Sequence, residues 1–158
     1  MKDNRNIDYR AAITAGQCAL KSLKDARSYL DGARAWGIAD LLGGGILPGV
    51  MKHWDINDAK RNINDAEQDL QEFIYALDHI QISDALDLEI DGFLSFIDLF
   101  WDNFLADYLV QTHIKKSRKS LDEIIAKVEQ LQSSLIIEST VEHFRHNSSE
   151  NNKTGSIA

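Results

Sequence analysis

The chain has 158 residues, of which 44% are hydrophobic and 27% are charged, and its formal net charge is -8 at pH 7. This length fits one domain with a substantial core, and the mean hydropathy of -0.30 is typical of a folded soluble protein. The composition excludes a disordered, collagen-like or membrane-spanning chain, and the negative charge argues against sequence-independent nucleic-acid binding, which needs a positive field. One proline and nine glycines favour helices over turn-rich sheets.

Three features of the chain predict a cytoplasmic protein. Residues 1–5 are polar, and no apolar run of the signal-peptide type follows them. Residues 41–51 form the longest uncharged apolar stretch near the middle, which is rich in glycine and far shorter than the roughly 20 apolar residues that span a bilayer. Cys18 is the only cysteine, so neither an internal disulfide nor a site built from several cysteines is expected.

The first predicted element is a long amphipathic helix between Tyr9 and Ala33, where apolar residues alternate at intervals of three and four. Alanines recur every seven residues on this face, at Ala12, Ala19, Ala26 and Ala33. Because only methyl groups line this edge, a neighbouring helix can approach to about 8 Å. The same alternation over residues 55–80, with Asp55 as N-cap, predicts a second long helix as the neighbour.

Residues 81–89 lose the alternation and are expected to form a connection. An aromatic helical segment follows at residues 93–109. Asp102 and Asn103 favour an interruption of this segment, because their side chains prefer caps and turns.

The heptad pattern returns at Ile114 and predicts a third long helix that ends between Glu138 and His143. Residues 146–158 are polar and low in complexity, so we expect a disordered tail. The predicted fold is therefore all-α: one domain over residues 1–145, a bundle of three long helices and short helical elements with largely antiparallel neighbours.

An internal repeat is visible at an offset of 58 residues, where residues 40–77 align with residues 98–135 without a gap. The predicted helix seams coincide in this alignment, for example at Ile63 and Leu121. Since two heptad helices can align by chance, the sequence leaves a duplication open. A true duplication would give a pseudo-two-fold arrangement.

The first unusual segment, residues 36–53, contains Gly43, Gly44 and Gly45 in succession. A connection this long inside a bundle is usually functional or has structure of its own. Free N–H groups at the glycines would cradle an anion, but the preceding strand and the glycine spacing of nucleotide sites are missing. The favoured interpretation is that the glycines end a short helix and residues 46–52 plug the end of the bundle.

The second unusual segment, residues 98–113, places Asp98, Asp102 and Asp107 among aromatic residues. Carboxylates in apolar surroundings can bind a metal or exchange protons with a histidine such as His53. The segment has neither the Glu-x-x-His pairs of di-iron bundles nor a His-Glu-x-x-His motif. Helix caps, or acids paired with a nearby Lys or Arg, are therefore the favoured interpretation.

Charge is unevenly distributed along the chain. Residues 62–114 contain 12 acidic residues and no Lys or Arg. The basic run 115–119 follows at once, and we interpret it as pairing with these acids rather than as a site for phosphates or anionic lipid.

Residues 36–45 read W-G-x-x-D-x-L-G-G-G, and a Lys-His pair follows at residues 52–53. With the later aspartates and Gln111, this pattern resembles a group of uncharacterised bacterial helical proteins over roughly residues 33–135. Tyr108 stands where that group would have Trp. The resemblance implies a helical fold and marks these positions, but it implies no particular activity.

We interpret the chain as a non-enzymatic interaction or scaffolding protein with coiled-coil-like seams and a recognition end formed by residues 36–53 and 98–113. The candidate ligand- or partner-binding residues are Trp36, Asp40, Gly43, Gly44, Gly45, Lys52, His53, Asp98, Asp102, Asp107 and Gln111. A protein partner or self-association is expected, and no cofactor, metal, nucleic acid or membrane surface.

Two alternatives stay open. A small-ligand or metal-dependent enzyme would use Asp40, His53 and the three aspartates of the second segment, provided that their side chains converge. A membrane-surface protein would insert residues 46–50 with Lys52 as an anchor, although the flanks are thin in polar residues for that role.

Overall fold

The computed structural model of the chain describes residues 4–41, 56–80, 83–108 and 114–154. These residues form four α-helices and no strand: α1 (Asn4–Leu41), α2 (Ile56–Asp78), α3 (Asp84–Tyr108) and α4 (Ile114–Thr154). The predicted all-α fold is confirmed.

Contacts between α1 and α4 show that these two helices run in opposite directions. The Nζ atom of Lys24 lies 2.7 Å from a carboxylate oxygen of Glu129. Further along α1, Arg27 contacts Asp122, which comes earlier in α4. Since later residues of α1 meet earlier residues of α4, the pair is antiparallel.

The helix α3 is also antiparallel to α4. Gln130 donates a hydrogen bond of 3.1 Å to Glu89, near the start of α3. The Nζ atom of Lys127 lies 5.1 Å from the ring centroid of Phe96, which comes later in α3. Helices α1 and α3 therefore point in the same direction.

The core is formed by one face of each helix, as the alternation of apolar residues predicts. Of the four alanines that recur every seven residues in α1, those at positions 12, 19 and 26 are completely buried, and the side chain of Ala33 lies outside the described part. Phe73 of α2 and Phe93 of α3 meet edge to face, with ring centroids 5.9 Å apart. Other buried apolar residues are Tyr9, Leu23, Leu30, Ile63, Ala66, Leu70, Leu77, Ile80, Leu86, Ile90, Ile97, Phe100, Phe104, Leu121, Ile124, Ile125, Val128, Leu131 and Leu135.

A close contact between α1, α2 and α4 centres on Gly16. A Cβ atom added there would overlap Nε2 of Gln132 and lie 2.8 Å from Cε2 of Phe73. Gln132 is 5% exposed, and its Nε2 donates a hydrogen bond of 2.9 Å to the carbonyl oxygen of Ile13. The missing side chain at Gly16 thus makes room for an amide of α4 to bond the backbone of α1.

The helix α3 corrects two expectations. Residues 84–89 were expected in a connection but form the beginning of α3, whose first turn carries two aspartates where the helix dipole favours negative charge. The helix also continues through Asp102 and Asn103 to its end. Asn103 is accommodated because its Nδ2 donates a 2.8 Å bond to the carbonyl of Leu99, four residues earlier in the same helix.

The helix α4 corrects the predicted end of the third long helix. It passes residues 138–143 and includes residues 146–154, which were expected in a disordered tail. Hydroxyl groups there bond within the helix, for example Ser148 Oγ to the carbonyl oxygen of Phe144 at 3.0 Å. A polar segment can therefore continue the helix, because each added residue brings its own backbone bond once the helix has started.

The offset of 58 residues reappears at the starts of two helices, since α2 begins at Ile56 and α4 at Ile114. Equivalent seam residues, such as Leu70 and Val128, are buried in both. However, α3 continues to Tyr108, beyond the position that corresponds to the end of α1. A duplication with a pseudo-two-fold arrangement stays a prediction.

Candidate functional site

The two segments of the predicted recognition end lead to the same end of the molecule. Because α1 and α3 both run antiparallel to α4, their last residues, Leu41 and Tyr108, lie at the end where α4 begins with Ile114. We call this end, defined by these three residues, the upper end. The long connection after α1 and the short connection after α3 both start there.

Of the candidate residues, Asp98 is the one whose side chain is described, and it is exposed. Four others lie within helices, but their side chains are outside the described part: Trp36 and Asp40 in α1, and Asp102 and Asp107 in α3. The remaining six lie outside the described residues: Gly43, Gly44, Gly45, Lys52, His53 and Gln111. The convergence that the enzyme alternative needs therefore stays a prediction.

The aromatic residues of α3 pack against one another near the upper end. The rings of Phe100 and Phe104 are stacked, with centroids 5.0 Å apart and an interplanar angle of 14°. Trp101 meets both rings edge to face, at 5.2 Å and 5.7 Å. Phe100 and Phe104 are buried and Trp101 is half-buried. Phe100, Trp101 and Phe104 therefore pack α3 against the core, and this packing fixes the position of the exposed residues of the helix.

The outward side of α3 carries aspartates beside two exposed leucines. Leu88 is 75% exposed and Leu99 is 67% exposed. At about 100° per residue, these leucines lie on one line along the helix. The exposed aspartates lie along one side of that line, at Asp84, Asp87, Asp91 and Asp98. We call these two leucines and four aspartates the acidic face.

The carboxylates of the acidic face have no basic neighbour within α3, because residues 62–114 contain no Lys or Arg. In the described part of the chain, the ion pairs of the molecule involve other carboxylates. Among the described residues, no ion pair therefore neutralises the negative charge of this face.

By contrast, acids between α1 and α4 are paired. Asp31 lies 2.8 Å from Nη1 of Arg27 and 2.5 Å from Nε of Arg118. Arg27 also donates to Asp122, and this hydrogen bond and charge, with the charge of Asp31, raise the pKa of the Arg27 guanidinium above its ordinary value. These contacts tie α1 to the first half of α4.

The basic run 115–119 was expected to pair with the acids of residues 62–114, and for two of its members this was wrong. Arg118 pairs with an aspartate of α1, as described above, and Lys119 lies 3.7 Å from Glu123 of its own helix. The reason is geometric. The position of Arg118 on α4 directs its side chain toward α1. The acids that precede the basic run in the sequence lie on α3.

The sequence did not predict the contact between Gly16 and Gln132. Gly16 lies in the apolar seam of the first predicted helix, and its position between buried alanines indicates a close approach of another helix. Gln132 gave no signal, because a glutamine beside a heptad seam is usually exposed.

A groove of about 460 Å³ opens to solvent between α1 and α2. Its lining consists of small, amide and aromatic residues together with one glutamate: Ala11, Ala15, Gln68, Gln71, Glu72, Tyr75 and Ala76. None of the candidate residues contributes to it. It is therefore separate from the predicted recognition end.

Across the described ranges, no three histidine, cysteine or carboxylate side chains gather as metal ligands. Among the same residues, no helix has a stretch both long and apolar enough to cross a bilayer.

No family model, curated protein or solved structure matches this chain.

Proposed function

We propose that this protein is a non-enzymatic helical interaction protein. It binds a protein partner that presents basic and apolar side chains along one helix, and binding begins on the acidic face and extends toward the upper end. The observation that carries the proposal is that Leu88 and Leu99 are exposed on one line of α3 beside aspartates without ion-pair partners in the described chain.

The chemistry of the acidic face specifies the partner. A single exposed leucine is ordinary on a protein surface, but two on one line can be covered together by the apolar side of an approaching helix. Lys or Arg side chains at the edge of that helix would meet the row of aspartates, which favours encounter and fixes orientation. An amphipathic basic helix supplies both groups.

The acidic face is also continuous with the recognition end that the sequence predicts. Asp98 and Leu99 belong to the acidic face and are the first residues of segment 98–113. The same α3 helix then leads to the upper end, where α1 also ends. We place this role in the cytoplasm, where the exposed free thiol of Cys18 would stay reduced.

The test places a photo-crosslinking amino acid at Leu99 in the full chain, with Gln17 on the exposed side of α1 as the matched control position. Irradiation in cells should give a discrete adduct from position 99 and none from position 17. Mass spectrometry should locate the crosslink in a partner helix with Lys or Arg beside apolar residues. Adding Asp91→Lys and Asp98→Lys should remove the adduct, because both changes place positive charge where the partner is basic.

Three outcomes would contradict the proposal: the same adducts from both positions, a crosslinked segment without basic residues, or an adduct that persists after both lysine substitutions. Circular dichroism of each variant checks that the helices are intact.

A further inference from the structure

The later part of α4 carries large apolar side chains on the face turned away from the core. At about 100° per residue, Ile137 and Phe144 lie roughly 200° and 180° around the helix from the buried Leu135. Ile137 is 64% exposed, Phe144 is 66% exposed, and Val141 between them is also exposed. We call Ile137, Val141 and Phe144 the α4 stripe.

The neighbouring helix α1 begins beside the α4 stripe and does not cover it. Gln132 of α4 bonds to Ile13, close to the start of α1 at Asn4. Since the two helices are antiparallel, α4 runs past the start of α1 before it ends at Thr154.

We propose that a second copy of this chain covers the α4 stripe, in an antiparallel pair of α4 helices. The spacing of the stripe is that of a coiled coil, with Ile137 and Phe144 at d positions and Val141 at an a position. Glu138 and Arg145 then both occupy e positions, one heptad apart.

Charge selects the antiparallel direction. When two helices pair antiparallel, e positions face e positions, so Glu138 of one copy lies near Arg145 of the partner subunit, and the reverse pair forms by symmetry. A parallel pair would set e positions against g positions, which are the uncharged Thr140 and Asn147. Arg145 is already held at the edge of the stripe by Glu142, whose carboxylate lies 2.9 Å away.

Charge also favours the α4 stripe over the acidic face as the contact between copies. Each copy has a net charge of -8, and the acidic face has aspartates without a Lys or Arg on its helix, so two such faces repel. The α4 stripe is flanked by both signs of charge, at Glu138, Glu142 and Arg145, and the antiparallel pair sets Glu138 near the partner subunit's Arg145. The proposal therefore concerns a second surface and does not rest on the partner proposed for the acidic face.

The test measures the mass of the purified full chain by sedimentation velocity over a wide range of concentration. We expect a monomer–dimer equilibrium. Phe144→Glu should raise the dissociation constant of the dimer at least about tenfold, because it buries a charge among apolar residues. Leu99→Glu is the matched control, since Leu99 is as exposed as Phe144 but lies on α3, and it should leave the equilibrium unchanged.

A charge exchange tests the direction of the pair. Glu138→Arg alone and Arg145→Glu alone each place like charges together and should weaken the dimer, whereas the double variant should restore it. A chain that stays monomeric at every concentration would overturn the proposal. So would a dimer that survives Phe144→Glu or is lost with Leu99→Glu, and an undiminished dimer in the two single charge variants would overturn the antiparallel pairing. A partner adduct at position 99 is measured separately, so either proposal can fail alone.

Discussion

The contact between α1 and α4 and the acidic face of α3 both carry aspartates, but their charges are used differently. Asp31 and Asp122 contact Arg27, so their negative charge is neutralised inside the molecule. Asp91 and Asp98 point away from the core and have no such partner within the described chain. The first set of carboxylates ties two helices together, whereas the second set joins no pair of helices in the described chain, and this contrast is the basis of the binding role that we propose for α3.

The largest expected effect distinguishes the buried side of α3 from its acidic face. Phe93→Ala should lower the free energy of unfolding by about 3–5 kcal/mol, because it leaves a cavity in the core opposite Phe73. Leu99→Ala should change it by less than about 0.5 kcal/mol, because that side chain is exposed. Urea unfolding followed by circular dichroism measures both, and equal losses would show that the acidic face supports the fold.

The next effect concerns the close contact between α1 and α4. Gly16→Val should lower the free energy of unfolding by about 2 kcal/mol, because the new side chain meets Gln132 and Phe73. Gly32 is the matched control in the same helix, with nothing within 4 Å of an added Cβ, and Gly32→Ala should raise stability by about 0.5–1 kcal/mol. If both changes stabilise the chain, the contact at Gly16 is looser than described.

The smallest effect compares the two sets of charges directly. Asp31→Asn should lower the urea midpoint at low ionic strength, because Arg118 loses its carboxylate partner and Arg27 keeps only Asp122. Asp91→Asn should raise it slightly, because it removes repulsion from Asp87 one helical turn away. Added salt should reduce both differences, since it screens exposed charges. Shifts of the same sign would contradict the distinction between paired and unpaired acids.

Much of the core was predictable from spacing alone. The positions that alternate at three and four residues in the first predicted helix, from Tyr9 to Leu30, are buried in α1. The seams of α2 and α4, for example Leu70 and Val128, are buried as predicted. Helix geometry fixes which side chains share a face, so a local pattern is enough to identify the buried side.

The beginning of α3 and the end of α4 were not predictable in this way. The acids over residues 84–89 and the polar residues 146–154 resemble connections in composition, yet both segments are helical. In each, polar groups bond locally: the N–H of Asp87 donates to the carbonyl oxygen of Ser83, and Ser148 Oγ donates to the carbonyl oxygen of Phe144. Composition indicates whether a segment is exposed to solvent. It does not separate an exposed polar helix from an exposed loop, because both have polar side chains.

The candidate site was predictable only as two segments of the chain. The directions of α1 and α3 bring the described parts of these segments, residues 36–41 and 98–108, to the upper end, and Asp98 lies on an exposed face. The resemblance to bacterial helical proteins, and the roles of the glycines and of the Lys-His pair, stay predictions.

The sequence by itself determined that this protein is all-helical and which face of most helices is apolar, because both follow from periodicity within one element. The tertiary structure decided which polar residues are buried and which apolar residues are exposed. Gln132 is buried because Gly16 leaves space on the facing helix. Ile137 and Phe144 are exposed because no other helix of the described chain packs on the outward side of the later part of α4. Both outcomes depend on where a second helix lies, and no pattern within a single helix contains that position.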